Sequence, residues 1–333
     1  MEKAIRERYS EDILHEVMRR YGIAPAEIKL LDGFESYIYE YGQDDAHFIM
    51  RISHSIRRSV ELISGEVDWI NYLSDGGVGV ARAVPSRGGQ LVEVIEDGRG
   101  GQFLAVAFVK AKGGSPWKKG GWNETLFERY GRLIGRMHAL SKDYQPANPA
   151  WRRGEWDDPL NLDVLGWLPA EQTIVAEKES ALIDYLRALP RDRHSYGLIH
   201  QDAHAGNFFV DNQGLITLFD FDDCVYSWFV YDIAMVVFYA VTNHAEPERF
   251  TAEFWPPFWR GYRQENDLDP AWLAEMPAFF KLREIDLYAI IHRSFDVDNL
   301  TDSWVAQFMD GRRQRIEQDI PYLNVDFTEY TDK

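Results

Sequence analysis

The stretch Leu198-Ile-His200-Gln-Asp202-Ala-His204-Ala-Gly-Asn207-Phe-Phe-Val210, continued by Ile216-Thr-Leu-Phe-Asp220-Phe-Asp222-Asp223, is the densest run of chemistry-bearing side chains in the chain. An aspartate is followed five residues later by an asparagine, and thirteen residues after that by an aspartate closing an apolar run. Phosphoryl transfer requires such a set. One carboxylate accepts the proton of an attacking hydroxyl, while an amide and a second carboxylate hold Mg²⁺ against nucleotide phosphates. Phe208 to Val210 and Leu215 to Phe219 read as short strands around the turn Asp211-Asn-Gln-Gly214, a hairpin that brings Asn207 and Asp220 side by side as hard oxygen ligands. Taken singly, each of these residues is a common turn former. Their joint spacing carries the reading. A zinc site from His200, Asp202 and His204 is a competing arrangement, weak because the spacing offers no further ligand.

Working outward, the 333 residues suit two lobes or one large domain. With 45% hydrophobic residues the chain can bury a substantial core and is not globally disordered. Its 36 basic against 54 acidic residues give a net charge of −18, which repels a phosphate backbone and argues against nucleic-acid binding. The single cysteine, Cys224, excludes an internal disulfide framework and a Cys-rich zinc site and suits a reducing compartment. The charged start Met1-Glu-Lys-Ala-Ile-Arg-Glu-Arg has no apolar segment after it, so no secretory signal is expected. The longest apolar run, Ile233 to Val241, is far short of the ~20 residues that span a bilayer. A soluble, cytoplasmic protein with no membrane partner is expected.

Residues 1–22 have helical spacing, and from Ile28 to Ile52 the pattern shortens into hairpin strands around Asp32-Gly33 and Gly42 to Asp45. A helix is predicted over 59–74 and further strands over 90–96 and 102–109. Residues 111–121 contain four glycines, one proline and three lysines and read as a connector. Asn123 caps a predicted helix with Leu126, Phe127, Tyr130, Leu133, Ile134 and Met137 on one side. The segment 146–169 reads as irregular, with helices at 171–188, 229–243, 251–265, 271–294 and 302–318. The expected organisation is a β-rich lobe over 1–110, a connector over 111–122, and a mainly helical lobe over 123–333.

The string His200-x-Asp202-x-x-x-x-Asn207, with Phe219-Asp220-Phe221-Asp222, resembles the aminoglycoside phosphotransferase and choline kinase family, and is especially similar to its bacterial stress-response Ser/Thr kinase subgroup. The resemblance implies a protein-kinase-like bilobal α+β fold, with a small antiparallel sheet and a larger helical lobe. It implies ATP and Mg²⁺ as cofactors, Asp202 as catalytic base, and Asn207 and Asp220 as metal ligands. Tyr231-Asp232-Ile-Ala234 and His138 match positions that are structural in the family. In the amino-terminal part, Asp32-Gly-Phe-Glu-Ser36-Tyr37 falls where the nucleotide-binding hairpin belongs, with Ser36 as a hydroxyl donor and Tyr37 beside it. Arg51 stands where the family usually has a phosphate-binding lysine, a departure because guanidinium and ammonium differ in reach. Glu66 is its expected partner, with Glu61 as rival. Ala105 to Val109, including Phe108, resembles the hinge that supports adenine through its backbone.

The acceptor is the least determined part. Candidates for gripping it are His204, Asp222 and Asp223, together with Arg283, Asp286 and Tyr288 of the helix over 279–295. A small amino alcohol of the aminoglycoside, homoserine or choline kind is one expectation. A protein Ser/Thr hydroxyl is a second, and a nucleotide-binding module without turnover, suggested by Arg51, is a third.

Overall fold

In the computed structural model, which describes every residue except 1, 32, 34, 118–120, 159–164 and 331–333, the chain divides into two compact units that are discontinuous in sequence. The first comprises Met1–Gly114, Tyr144–Arg153 and Phe209–Asp222; the second comprises Ser115–Asp143, Gly154–Phe208 and Asp223–Lys333. Asp32 and Phe34, in the turn expected to approach phosphates, lie outside the described residues, as does part of the connector and of the irregular segment.

The first unit is built on an antiparallel sheet of β1 (Ile28–Leu31), β2 (Tyr37–Gln43), β3 (Ala46–His54), β4 (Ala83–Val84), β5 (Glu93–Glu96) and β6 (Gln102–Val109). The strand order is β1-β2-β3-β6-β4, with β5 also paired to β6. Residues alternate between the two faces of a strand, and here the alternation separates core from site. Tyr39, Tyr41, Met50, Ile52, Phe103 and Ala105 share one face and form a cluster with Ile13, Val17, Met18 and Tyr21. Those four lie on α2 (Glu11–Tyr21), which follows a four-residue α1 (Lys3–Arg6). The single helix predicted over 1–22 is thus two, because Ser10 adopts extended backbone (φ −139°, ψ 165°) and starts α2 afresh. The opposite face carries Ile38, Arg51 and Val106 in register across β2, β3 and β6. On α3 (Val60–Asp75), Ser59 caps the first turn through a bond from the Leu62 amide, and Ile63, Glu66, Val67, Ile70 and Leu73 are buried. Glu66 therefore sits on an otherwise apolar stripe.

The turn joining β5 to β6 is organised by Asp97, whose carboxylate accepts the Arg99 and Gly101 amides at 2.6 and 2.8 Å, the Arg8 guanidinium, and His54 at 3.2 Å. Burial works to raise its pKa, but the Gly101 amide, Arg8 and the other donors hold it well below the usual carboxylate range. A depressed carboxyl contributes stability that is present above the unfolded value of about 4 and is lost as pH falls towards the folded value. Asp97→Asn is therefore expected to lower stability at neutral pH and to flatten its loss below about pH 4, as read by intrinsic fluorescence in acid titrations of urea unfolding.

Residues 209–222 add a hairpin of β8 (Phe208–Val210) and β9 (Ile216–Leu218) to this unit. Gly214 takes the left-handed conformation its turn demands (φ 74°), and the Asp211 carboxylate accepts the Gln213 and Leu215 amides.

The second unit is mainly helical: α4 (Glu124–Ser141), α5 (Thr173–Arg187), α6 (Phe229–Val241), α7 (Pro247–Arg263), α8 (Met276–Ser294), α9 (Ser303–Met309) and α10 (Arg312–Glu317). Asn123 caps α4 by accepting the Leu126 amide. The close crossing of α4 and α7 depends on glycine: a Cβ at Gly131 would lie 1.9 Å from the Phe258 carbonyl oxygen, and one at Gly261 2.0 Å from that of Glu128. Helix α6 is buried on all sides except at Tyr239. No helix among the described residues is long and apolar enough to cross a membrane. The helix predicted over 302–318 is interrupted at Gly311, whose φ of 61° ends α9 and begins α10. Strand β7 (Tyr196–Ile199) pairs antiparallel with β10 (Val225–Trp228), which the sequence reading missed.

Candidate active site

Each unit contributes its own group of polar side chains. In the first, β3 points Arg51 away from the apolar cluster and α3 presents Glu66 to it. The two form a buried bidentate pair, Nη1 to Oε1 at 2.8 Å and Nη2 to Oε2 at 2.5 Å. Burial opposes the charge on Arg51, yet the Glu66 carboxylate overrides it and keeps the guanidinium charged well above its ordinary range. Glu61, the rival partner, is exposed in the first turn of α3. Arg51 also lies 5.4 Å from the Phe108 ring centroid, and its Nε is buried without a hydrogen-bond partner. Ser36 is buried and shares a hydrogen bond with Ser53 at 3.1 Å; Tyr37 stacks on Tyr9 at 3.7 Å. In the hinge segment the Val109 amide donates to the Arg82 carbonyl at 2.8 Å, so that donor is already engaged.

Asp220 follows β9 and is exposed, with the uncommon left-handed backbone (φ 66°) of a non-glycine residue. Two residues on, Asp222 is surrounded by cations. Its oxygens lie 3.9 Å from Arg51, 3.5 Å from Arg57 and 3.4 Å from Arg58, while its carbonyl accepts Arg153 at 2.6 Å. Burial works against ionisation of Asp222, and these arginines reverse that and hold its pKa low. The sequence reading offered Asp222 to an acceptor; its carboxylate here serves guanidiniums of its own unit.

In the second unit the loop after β7 is anchored from below. Asp232, fully buried in the first turn of α6, accepts the His200 amide at 2.9 Å and the Gln201 amide at 2.6 Å. Its Oδ2 also bonds His138 Nε2 at 3.1 Å, and His138 Nδ1 meets the Tyr262 hydroxyl at 2.9 Å. Gln201 takes φ 69°, a strained turn that these bonds hold in place. Asp202 follows directly. Its Oδ2 accepts Asn207 Nδ2 at 3.0 Å, and the same amide reaches the Asp202 carbonyl at 2.9 Å. Its Oδ1 accepts Arg283 at 2.8 Å, and His204 Nε2 stands 3.4 Å from Oδ2. Burial raises the Asp202 carboxyl, but Arg283 and His204 pull it well below the usual range, so it is ionised at neutral pH. Arg283 is itself oriented by the Tyr239 hydroxyl, which accepts its Nε at 3.0 Å.

The residues proposed from sequence for the acceptor are dispersed. His204 touches Asp202, and its Nδ1 accepts the Gly206 amide at 2.9 Å. Tyr288 donates to Gln172 at 2.9 Å. Asp223 is exposed. Asp286 is pushed up to about 7 by burial, against the pull of Arg283. The zinc alternative finds no support: the Nδ1 atoms of His200 and His204 accept backbone amides, and no group of three or more His, Cys, Asp or Glu among the described residues is arranged to hold a metal ion. The sequence reading missed Tyr239, which looked like one more apolar residue of α6, and the Arg57–Arg58 pair, which lacked any motif.

An antiparallel sheet unit bearing a buried Arg–Glu pair, a helical unit, and the Asp202/Asn207 loop define a kinase-like phosphotransferase. Residues 27–276 match the phosphotransferase enzyme family, and the chain belongs to that family. Amicoumacin kinase of Bacillus subtilis (strain 168) is 40% identical over 324 residues, which cover 96% of each chain. The solved structure of amicoumacin kinase hAmiN in complex with AMP-PNP, Ca²⁺ and Ami superposes with a TM-score of 0.93 at 38% identity, covering 99% of this chain and 100% of that one. A microcompartment-associated aminopropanol kinase (TM-score 0.73, 23% identity, 97% of this chain and 100% of that chain) shares the fold. Spectinomycin phosphotransferase does too (TM-score 0.57, 14% identity, 97% of each chain).

Proposed function

We propose that this enzyme transfers the γ-phosphoryl group of ATP to a hydroxyl of a small, amine-bearing molecule, with amicoumacin the first acceptor to test. The single observation that carries the reading is the state of Asp202: ionised, held on Oδ1 by Arg283 and on Oδ2 by Asn207, in a loop anchored on Asp232. A carboxylate has about four lone-pair positions, so these bonds orient Asp202 and leave it room to accept a proton. As the acceptor oxygen bonds to the γ-phosphorus and the bond from phosphorus to the leaving ADP oxygen breaks, the hydroxyl proton passes to Asp202. Amicoumacin is put forward because the 40% identical relative carries its name.

The donor set suits a divalent cation. Asn207 spends its Nδ2 on Asp202, so the amide oxygen is the end left to a metal, and Asp220 offers an exposed carboxylate on a left-handed turn. A bound Mg²⁺ neutralises charge developing on the phosphate oxygens. The first unit is assigned the nucleotide: Arg51, kept in place by Glu66, takes the role of the usual lysine towards phosphate, with Ser36 and Tyr37 at the hairpin and Phe108 and Val109 at the adenine end. The second unit is assigned catalysis and the acceptor. A cytoplasmic setting, where ATP is abundant, accords with the lone buried cysteine, and the charge of −18 speaks against nucleic acid as partner.

The test is ADP release with amicoumacin and a panel of amino alcohols, run beside autophosphorylation with labelled ATP. Turnover with a small acceptor is expected; labelling of protein alone supports the Ser/Thr kinase reading, and nucleotide binding without either supports an inactive module. Asp220→Ala is expected to weaken Mg-ATP binding as well as turnover, measured by calorimetric titration of nucleotide with and without Mg²⁺. Unchanged Mg-ATP affinity removes Asp220 from the metal role.

A further inference from the structure

The segment Tyr144–Arg153 carries no catalytic motif, yet it belongs to the first unit, while the residues before and after it in sequence belong to the second. It runs along α3 as a strap and meets that helix every three or four residues. The Tyr144 ring lies 5.1 Å from that of Tyr72, and its hydroxyl donates to the Asp68 carboxylate at 2.7 Å. The Ala147 amide donates to the same Asp68 oxygen at 3.1 Å. One turn nearer the start of α3, the strap passes so close to Gly65 that a Cβ there would lie 1.9 Å from the Trp151 carbonyl oxygen. At the end of the strap Arg153 donates through Nη1 to the Leu62 carbonyl at 2.8 Å. Positions 62, 65, 68 and 72 are successive neighbours on one face of a helix.

The second nitrogen of the same fork, Nη2, donates to the Asp222 carbonyl at 2.6 Å. The Arg153 side chain is buried, and burying a guanidinium is costly unless its geometry and bonds are good. The two carbonyls it joins show what the bonds hold. Leu62 lies one helical turn before Glu66, the partner of Arg51. Asp222 lies two residues after Asp220, the carboxylate assigned to the metal. Between these two acids, Phe221 is buried and packs edge-on against Trp69 of α3 at 5.4 Å. Before Asp220, the Leu218 amide donates to the Gly79 carbonyl at 2.8 Å and the Ala81 amide to the Leu218 carbonyl at 2.9 Å. The left-handed turn at Asp220 (φ 66°) is thus fastened on both flanks. A guanidinium suits the far flank, because its planar fork offers two donors in fixed geometry where an ammonium is a point charge.

We propose that Arg153 is a positioning residue for phosphoryl transfer: it ties the turn bearing Asp220 to the turn of α3 bearing Glu66, so that the metal carboxylate and Arg51 are set together. This deepens the kinase reading and rests on its assignment of Asp220 to Mg²⁺. The experiment is calorimetric titration of the full-length protein with AMP-PNP, with and without Mg²⁺. Arg153→Lys keeps the charge but cannot bridge both carbonyls. It is expected to lose about tenfold or more of the affinity that Mg²⁺ adds, the usual cost of loosening the groups behind a metal ligand. Its affinity without Mg²⁺ is expected to stay as in the wild type. Gly65→Ala, which pushes the strap off α3 while Arg153 itself is kept, is expected to show the same selective loss. A wild-type Mg²⁺ response in Arg153→Lys overturns the proposal. So does an equal loss with and without Mg²⁺, the mark of a residue that only supports the fold. If Arg153→Lys does not fold, the same criteria apply to Gly65→Ala. A wild type whose AMP-PNP affinity ignores Mg²⁺ overturns the metal assignment itself, and that result shows before any variant is measured.

Discussion

Asp202→Ala is expected to lower kcat by about 10²- to 10⁴-fold, the usual range for loss of a positioned general base, while Mg-ATP affinity stays nearly intact. Asp202 is tied to Arg283, Asn207 and His204, all within its own unit; of these only Asn207 belongs to the Mg-ATP site, and its bond to Asp202 uses the amide nitrogen rather than the oxygen assigned to the metal. Removing the carboxylate leaves Arg283 buried and bonded only to Tyr239, so the variant also loses some stability. Asp202→Asn separates the two effects: it keeps a hydrogen-bonding side chain for Arg283 but accepts no proton. Steady-state ADP release beside nucleotide titration checks the prediction. Near-normal kcat in Asp202→Asn, or a loss seen only in nucleotide affinity, assigns the base elsewhere.

The largest stability effect belongs to the first unit. Glu66→Ala strips the Arg51 guanidinium, whose side chain is 8% exposed, of its bidentate partner and leaves only the Asp222 carboxylate at 3.9 Å. Removing one partner of a buried pair typically costs about 3–5 kcal/mol, because the remaining charge stays desolvated. The midpoint of urea unfolding is expected to fall accordingly, with the first unit, followed by amide hydrogen exchange of β3 and β6, melting before the second. Replacing both partners, as in Arg51→Met with Glu66→Leu, is expected to recover most of that stability, since well-packed apolar pairs replace buried ion pairs at little cost. The double variant is expected to bind Mg-ATP far more weakly than the wild type. Stability and nucleotide affinity thus part company, which a purely structural pair does not allow.

Much of the fold could be read from local pattern. The hairpin alternation over 28–52 placed three strands, and the strand over 102–109 is as expected, because period-2 burial leaves a plain trace in sequence. The cap Asn123 marked a helix start for the same local reason. What went unread is short or depends on distant packing. Strand β4 has two residues and β10 is a mixed run, too brief for a period to show. The breaks at Ser10 and Gly311 turn on a single residue's backbone, which a strong flanking pattern hides.

The site divides along the same line. Sequence by itself determined the residue types and the spacing of Asp202, Asn207 and Asp220, since a five-residue loop brings the Asn207 amide back onto Asp202 through local geometry alone. It also determined that Arg51 and Glu66 lie on a strand and on the helix that follows. Only the tertiary structure decided that Arg283, 81 residues away, grips the Asp202 carboxylate, that Tyr239 steers it, and that four arginines gather around Asp222. Glu179, an ordinary residue of an amphipathic helix by its sequence, becomes an orphaned buried acid only where α5 meets α8. The pKa of a carboxyl depends on the charges and the solvent it faces, and those are set by which helices pack together, a property no spacing along one chain segment records.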